Sequence, residues 1–546
     1  MRIDLIQIGL VGPALGPWPH GAASRLDATP EALAGAWADL AAPAGAATDP
    51  SADAVLFWDP TLGEPDPGHL ALLLGQPDDV WHAGLRLGLG GLPSTIDDVA
   101  PTWMLNRDPD PTREATSWRL TWRAALVRRR VLASLGPIDP SYASLDAAAL
   151  DLGHRWITLG ARLRHVPTLV PTAAARPPVL GLADELRFVE RRYGRKWMGW
   201  TAATRVRHPL AVFRGVRRAI AQTGPPAPAD LPALVTDGAA AGSVTVLIPT
   251  VERYPFLRVV LEQLRGQTVA PSQVIVIDQT PVADRDPDLY AGFADLPLEL
   301  ITLDQAGQCR ARNAGLERAT GDHVLFIDDD DDIPADLIEA HLRSIDGRRV
   351  EVSSGVVHEP NGPEQLSDEF RRFRVSDTFP TNNTMVRRDA LAASGWFDLA
   401  YDRGDRADHD LGMRLYLSGA RMVMDPTIDL LHHHAPRGGL RVHAARAITY
   451  GTARGSIRIR QPLSPTQLYL WRRYYSPDQV RKAIRLHLAG ALFGSGSRSN
   501  QLARVLVQAA SLPLARREVA GAERLAADLL AHNPRIGCAR VDGSPP

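Results

Sequence analysis

Val324-Leu325-Phe326-Ile327-Asp328-Asp329-Asp330-Asp331-Asp332-Ile333-Pro334 decides how this chain folds. A four-residue apolar run with Val, Phe and Ile reads as a buried strand. The five carboxylates then stand at its carboxyl end, where open α/β sheets bind their ligands. Carboxylate oxygens are hard donors for Mg²⁺ or Mn²⁺, ions usually held by a few carboxylates together with substrate phosphates. Two blander readings compete. A block of like charge is often a solvated turn, and Asp328, Asp330, Asp332 and Glu339 fall at the spacing of an EF-hand calcium loop. That loop needs Gly at its sixth position after a helix; here Ile333 and Pro334 follow an apolar strand, which argues against it.

Upstream, Val244-Thr-Val-Leu-Ile-Pro249-Thr250 reads as a buried strand stopped by Pro249, followed by a helix from about 255 to 265. Val274-Ile-Val-Ile-Asp278 is a second strand ending in a carboxylate, and Gly307-Gln-Cys-Arg310-Ala-Arg312-Asn313-Ala-Gly315 opens a helix before the acidic strand. Strands and helices alternating with apolar runs predict a parallel, doubly wound sheet. Asp278 fits either a contact to a base or ribose, or a loop cap. Arg310 and Arg312 fit either phosphate neighbours or surface charges.

The acidic stretch has a partner near the N-terminus. Asp53 to Pro65 aligns without gaps on Asp322 to Pro334, and Arg128, Gly136, Asp139, Asp151, Leu152, Arg155, Gly160 and Pro167 precede Arg387, Gly395, Asp398, Asp410, Leu411, Arg414, Gly419 and Pro426 at one constant offset. Similarity over so long a period means a duplicated domain. Extended backward, the first alignment sets Ile3–Ile8 against Ser272–Ile277, so the N-terminal copy begins one strand late. Its chemistry is missing: Thr61 faces Asp330, Gly63 faces Asp332, Ala149 faces Asp408, and Ala173 to Ala175 face His432 to His434. The expectation is a copy that kept a fold and lost a reaction.

The ordered motifs resemble the family 2 glycosyltransferases of GT-A fold over about residues 243 to 435: a strand into Pro-Thr, a strand ending in Asp, Ala-Arg-Asn-Ala-Gly, then a strand and Asp-x-Asp. The resemblance implies an inverting transfer of a sugar from a nucleotide-diphosphate-sugar donor (UDP-, GDP- or dTDP-linked) to a hydroxyl of a glycan or lipid-linked acceptor, as in cell-envelope polysaccharide synthesis. It implies nucleotide-sugar contacts from Pro249, Thr250, Glu252, Asp278, Arg312, Asp328, Asp329 and Arg437, with Mn²⁺ or Mg²⁺ on Asp328 and Asp330. One histidine of His432-His433-His434 completes the metal shell in this reading, His432 and His434 being the candidates, and Gly438-Gly439 would hinge a lid over the diphosphate. Ala407-Asp408-His409-Asp410-Leu-Gly-Met-Arg414-Leu resembles the family's Glu-Asp-x-Asp-Leu-x-x-Arg-Leu motif with Ala407 in place of Glu. Asp408 is then the general base. Asp410 and Arg414, whose counterparts Asp151 and Arg155 survive in the silent copy, read as a structural i,i+4 pair.

At 546 residues the chain is long enough for two or three cores. The expected organisation is a degenerate GT-A-like domain (1–178), a helical bridge and Pro/Ala/Gly-rich linker (179–242), a catalytic Rossmann-like mixed α/β domain (243–438) and a helical C-terminal extension (439–546). Trp197 and Trp200 fit a half-buried helix in the bridge. Net charge is −1, which gives no general argument for nucleic acid. Cys309 and Cys538 are the only cysteines and no stretch has the length of a membrane span, so a cytoplasmic protein, peripheral at the inner membrane face at most, is expected. The Arg-rich segment after 440, with Tyr469-Leu-Trp-Arg-Arg-Tyr-Tyr475, reads as packing helices with snorkelling arginines or as a surface for a lipid phosphate or a membrane. The alternative to an enzyme is a carbohydrate-binding or scaffold protein of the same fold.

Overall fold

A computed structural model of the chain describes residues 2–9, 15–42, 53–87, 94–170, 180–205, 209–220, 231, 241–360, 366–435, 439–440, 463–489 and 498–533. The chain divides into two units, residues 1–234 with 373–375, and residues 235–372 with 376–546. Most of the Pro/Ala-rich linker, Arg437 and Gly438 lie outside the described residues. No helix among the described residues is long and apolar enough to cross a membrane.

The second unit is built on β8 to β16. After β8 (Val244–Thr250), β9 (Gln273–Asp278), β10 (Leu298–Thr302) and β11 (His323–Phe326) come β12 (Asp331–Asp332), β13 (Val352–His358), β15 (Thr384–Arg387) and β16 (Met422–His432), in the order β10-β9-β8-β11-β15-β13-β16-β12. The two-residue β14 (Arg374–Val375) falls in the 373–375 segment. β8 to β11 are mutually parallel, and β15 enters antiparallel between β11 and β13. The sheet is therefore mixed, as the resemblance implies. Parallel strands are covered on both faces, so they read as continuous apolar runs; Val274, Ile275, Val276 and Ile277 are fully buried. The helix Tyr254–Arg265 buries Leu257, Val260, Leu261 and Leu264, one helical stripe. Gly315 lets the helix Gln308–Arg318 lie tight on the sheet, since a Cβ there would meet Leu247 Cδ1 at 2.6 Å.

β8 runs through Pro249 rather than stopping at it, with Pro249 beside Ile277 and Thr250 beside Asp278. The β11 pairing already ends at Leu247, so on that side the missing N–H of Pro249 leaves no ladder bond unmade.

The first unit has β1 (Arg2–Ile8), β2 (Ala23–Leu26), β3 (Asp53–Trp58), β4 (Val80–His82), β5 (Ala115–Thr116), β6 (Ala124–Arg128) and β7 (Leu163–His165), ordered β2-β1-β3-β6-β4-β7-β5. The pairing senses of β1, β3, β6, β4 and β7 repeat those of β8, β11, β15, β13 and β16: parallel, antiparallel, antiparallel, parallel. One expected correspondence changes. β1 bonds directly to β3, so it occupies the sheet position of β8, not of β9 as the backward alignment had it. Side chains repeat as well. Arg155 donates to the carbonyls of Gly136 and Pro137, and Arg414 to those of their counterparts Gly395 and Trp396. Gly136 and Gly395 hold φ of 74° and 77°, a left-handed turn that only glycine adopts without strain.

Each sheet is followed by helices docked on the same two aspartates. In the first unit Arg191 and Arg192 of the helix Leu182–Tyr193 pair with Asp139 and Asp151. In the second, Tyr469 and Tyr474 of the helix Pro465–Tyr474 donate to Asp398 and Asp410. Trp197 and Trp200 are half-buried, as expected, with Trp200 Nε1 donating to the Asp98 carbonyl. Arg472 pairs with Glu523, and Arg473 donates to Tyr469 and to the Asn533 carbonyl, the arrangement of packing helices.

Candidate active site

The acidic stretch is not a solvated turn. Asp329, Asp330 and Asp331 are 3 %, 1 % and 2 % exposed, so three adjacent carboxylates sit inside the protein. Such burial needs compensation by partners, and each has a different set. Asp329 accepts from Thr250 Oγ1 at 2.7 Å and Arg253 Nη1 at 3.0 Å. Asp330 Oδ2 accepts the Ala435 amide at 2.7 Å, and its Oδ1 lies 3.1 Å from Arg253 Nη1. Asp331 Oδ2 accepts the Asp328 amide at 2.7 Å and its Oδ1 receives His432 Nδ1 at 2.9 Å. The chain turns back after Asp330 into β12, which pairs with β16 in the register Asp331 to His432.

These contacts shape an open cleft at the carboxyl ends of β8 and β11, lined by Pro249, Thr250, Arg253, Gln279, Gln308, Arg312, Asp328 to Asp330, His432 and His434. Arg312 is buried and donates from Nη2 to Asp328 Oδ1 at 2.9 Å, so it is no surface charge. Arg310 is half-exposed and pairs with Asp402 instead. The helix Gln308–Arg318 does not offer its N-terminus to a ligand: Asp402 Oδ1 accepts the amides of Cys309 and Arg310, each at 2.9 Å. The fixed positive charge of the cleft is therefore carried by Arg253 and Arg312.

Burial pushes the Asp329 carboxyl up to about 7 against the pull of Arg253. Burial acts the same way on Asp330, but His432, Arg253 and the Ala435 amide outweigh it and hold its carboxyl below the usual range. Burial disfavours the His432 cation, yet its bond to Asp331 and the charges of Asp328, Asp330 and Asp331 raise it to about 9.

One ligand atom each from Asp328, Asp330 and His432 lie within 4.8 Å of one another. Asp330 Oδ1 is buried without a hydrogen bond, with Arg253 Nη1 at 3.1 Å and His432 Nδ1 at 3.5 Å. Two carboxylates and an imidazole suit a divalent ion, so the residues present fit a metal. Of the three histidines, His432 joins this cluster. His434 lines the cleft with Nε2 3.1 Å from Glu359, and His433 Nε2 is 4.0 Å from Asp332.

The other expected residues lie around the cleft. Asp278 is not among its lining residues; its carboxylate accepts Tyr254 and Tyr290 hydroxyls, both at 2.8 Å, and the Thr280 amide, the arrangement of the cap reading. Glu252 stands between the lining residues Val251 and Arg253 with φ of 56°, its amide donating to Thr280 Oγ1. Asp408 heads the helix Ala407–Leu417 and accepts the His409 amide and imidazole at 2.8 and 2.9 Å. Burial opposes its ionisation, but His409 and Arg406 prevail and hold its carboxyl well below the usual range. It does not line the cleft, though the loop before it is tied there: Gln308 Nε2 donates to the Tyr401 carbonyl at 2.8 Å and to that of Gly404. Asp410 and Arg414 form the expected buried pair at 2.9 Å.

Residues 245–396 match the model of Glycosyl transferase family 2. They are a family 2 glycosyl transferase domain. The chain is 27 % identical over 167 residues to the uncharacterized glycosyltransferase YwdF of Bacillus subtilis, covering 28 % of this chain and 62 % of that one. It is 26 % identical over 236 residues to the pre-mycofactocin glycosyltransferase of Mycobacterium tuberculosis, covering 40 % of this chain and 48 % of that one. The chain thus spans 48 % to 62 % of the length of these relatives. Among solved structures, the mannosyltransferase PcManGT of Pyrobaculum calidifontis, in complex with GDP-Man and Mn²⁺, is similar at 19 % identity and a TM-score of 0.32, over 62 % of this chain and 86 % of that one.

Sequence reasoning did not single out Arg253, Gln279 or Gln308, and assigned Asp331 no role. Arg253 follows Pro249-Thr-Val-Glu closely enough to have been suspected, but only the fold shows that it reaches two of the acids.

Proposed function

We propose that the family 2 domain catalyses inverting transfer of a sugar from a nucleotide-diphosphate donor to a hydroxyl of a glycan or lipid-linked acceptor. The observation that carries this is the juxtaposition of Asp328, Asp330 and His432 with Arg253 and Arg312 in one cleft at the carboxyl ends of β8 and β11. A donor that leaves as a nucleoside diphosphate needs fixed positive charge where negative charge develops. Arg312 and Arg253 are held there by Asp328, Asp329 and Asp330, so they need no reorganisation as the charge appears. Asp328, Asp330 and His432 would hold Mn²⁺ or Mg²⁺, the imidazole favouring Mn²⁺. Bound there, the ion supplies Lewis-acid stabilisation of the leaving diphosphate. Pro249, Thr250 and Glu252 would border the nucleoside, with Asp278 shaping its loop.

Asp408 is the base in this reading. It is kept ionised by His409 and Arg406, and takes the proton of the acceptor hydroxyl as that oxygen attacks. The first unit is the silent copy: Asp59, opposite Asp328, is bonded to Thr61 and Arg123, and its neighbours are not acids. The test is calorimetric titration of UDP, GDP and dTDP into the full chain with and without Mn²⁺. Binding of one nucleotide only with metal, lost in Asp330→Ala, is the expected result; metal-independent binding unchanged by Asp330→Ala would overturn the assignment.

A further inference from the structure

The helix Pro209–Ile220 of the first unit is apolar on two sides. It packs on the helix Leu182–Tyr193 through its smallest residues, Gly215 and Ala219, both buried. The approach is close: a Cβ on Gly215 would meet Leu186 Cδ1 at 2.8 Å, and Arg187 donates to the Arg218 carbonyl at 2.5 Å. Val212 and Val216 beside them are half-buried, while the bulkiest apolar residues point the other way. Leu210, Phe213 and Ile220 are 72 %, 60 % and 46 % exposed. At spacings of three and seven they form one stripe, opposite the side that carries Gly215 and Ala219. Burying such residues against the protein is the ordinary outcome, so an outward stripe marks a surface that meets something else.

Charge identifies the partner. Arg214, Arg217 and Arg218 border the stripe, and the helix carries no acid. Among the described residues none of the three forms an ion pair, and Arg217 lies over the Phe213 ring at 5.9 Å from its centroid. The nearby acids of the packing helix are engaged elsewhere, Asp184 with the Ala143 and Ser144 amides and Glu185 with Ser94. Exposed apolar side chains flanked by unpaired arginines on a short helix are the composition of an interfacial helix at an anionic bilayer. We propose that Pro209–Ile220 docks the protein on an anionic lipid surface, Leu210, Phe213 and Ile220 entering the acyl boundary and Arg214, Arg217 and Arg218 meeting the headgroups. This assigns membrane contact to a helix of the first unit and does not depend on the sugar-transfer reading.

The experiment is co-sedimentation of the full chain with vesicles of phosphatidylcholine and with vesicles of equimolar phosphatidylcholine and phosphatidylglycerol. Binding to the anionic vesicles alone, weakening with salt, is expected. Replacing all three arginines by Gln should weaken it on the order of 100-fold, at several-fold per charge, and L210S/F213S by roughly 10-fold or more. Because the replaced side chains are exposed, circular dichroism should be unchanged in both. Absence of binding to anionic vesicles, or binding that both variants retain, overturns the proposal. So does a wild-type dimer that L210S/F213S converts to monomer, since the stripe would then be a self-contact.

Discussion

Asp331 receives the Nδ1 of His432 at 2.9 Å while its other oxygen holds the Asp328 amide at 2.7 Å, so one buried carboxylate positions two of the three candidate metal ligands. Partners of this kind fix ring orientation and tautomer, and their loss commonly costs about 10–100-fold in metal affinity. Asp331→Asn should therefore weaken Mn²⁺ binding by that factor without abolishing it, whereas Asp330→Ala should abolish it. Manganese titration followed by electron paramagnetic resonance reads both. Equal affinity in wild type and Asp331→Asn would show that β12 pairing alone orients His432.

Arg312 is held against Asp328 in the interior, where a fixed cation acts strongly on charge that develops during reaction. Arg312→Ala should lower turnover by about 10²–10³. Arg310→Ala, which removes a half-exposed partner of Asp402, should lower it far less. Initial-rate measurements with saturating donor separate the two, and similar losses in both would contradict the division of roles.

Asp408 and Asp410 stand two residues apart with different work. Asp410 is fully buried, paired with Arg414 and bonded to Tyr474; Asp408 is partly exposed and accepts the amide and the ring nitrogen of its neighbour His409. Asp410→Ala strands a buried guanidinium and should cost roughly 3–5 kcal/mol of stability. Asp408→Asn, at a partly exposed carboxylate where solvent screens its charge, should cost less stability than that and remove sugar transfer. Urea unfolding beside turnover assays checks the pair.

His341 is buried with Nδ1 on Ser353 and Nε2 on Asn383, and burial pushes it down to about 4. Its folded pKa lies below the unfolded value near 6.5, so between them the unfolded chain binds the extra proton. The stabilisation is complete above pH ~6.5 and falls as pH drops toward ~4, by roughly 3 kcal/mol across the window. His82 and His154, pushed down to about 3, act in the same direction in the first unit. Unfolding measured at several pH values should show a shallower slope in His341→Asn than in wild type.

Apolar runs made the strands legible before any coordinates. Val244 to Ile248, Val274 to Ile277 and Val324 to Phe326 lie in β8, β9 and β11, and the constant-offset repeat predicts a second domain of similar fold, though not its pairing senses. Arg155 and Arg414 were legible because one local geometry recurs twice. The wiring of the acids was not legible. Nothing in five consecutive aspartates tells which turns toward Arg253, which toward Arg312 and which toward His432, because those directions are set by β12 folding back onto β16. The histidine choice was open for the same reason. The outward stripe of Pro209–Ile220 was hidden too, since periodicity shows that a helix has an apolar face but not which face its neighbour covers.

The most direct test of the central claim is release of nucleoside diphosphate from a panel of UDP-, GDP- and dTDP-sugars by the full chain, with wild type, Asp330→Ala and Asp408→Asn compared in Mn²⁺ and in chelator. The account predicts release from at least one donor by wild type in Mn²⁺, lost in chelator and in both variants. Release that survives chelation and both substitutions would contradict it.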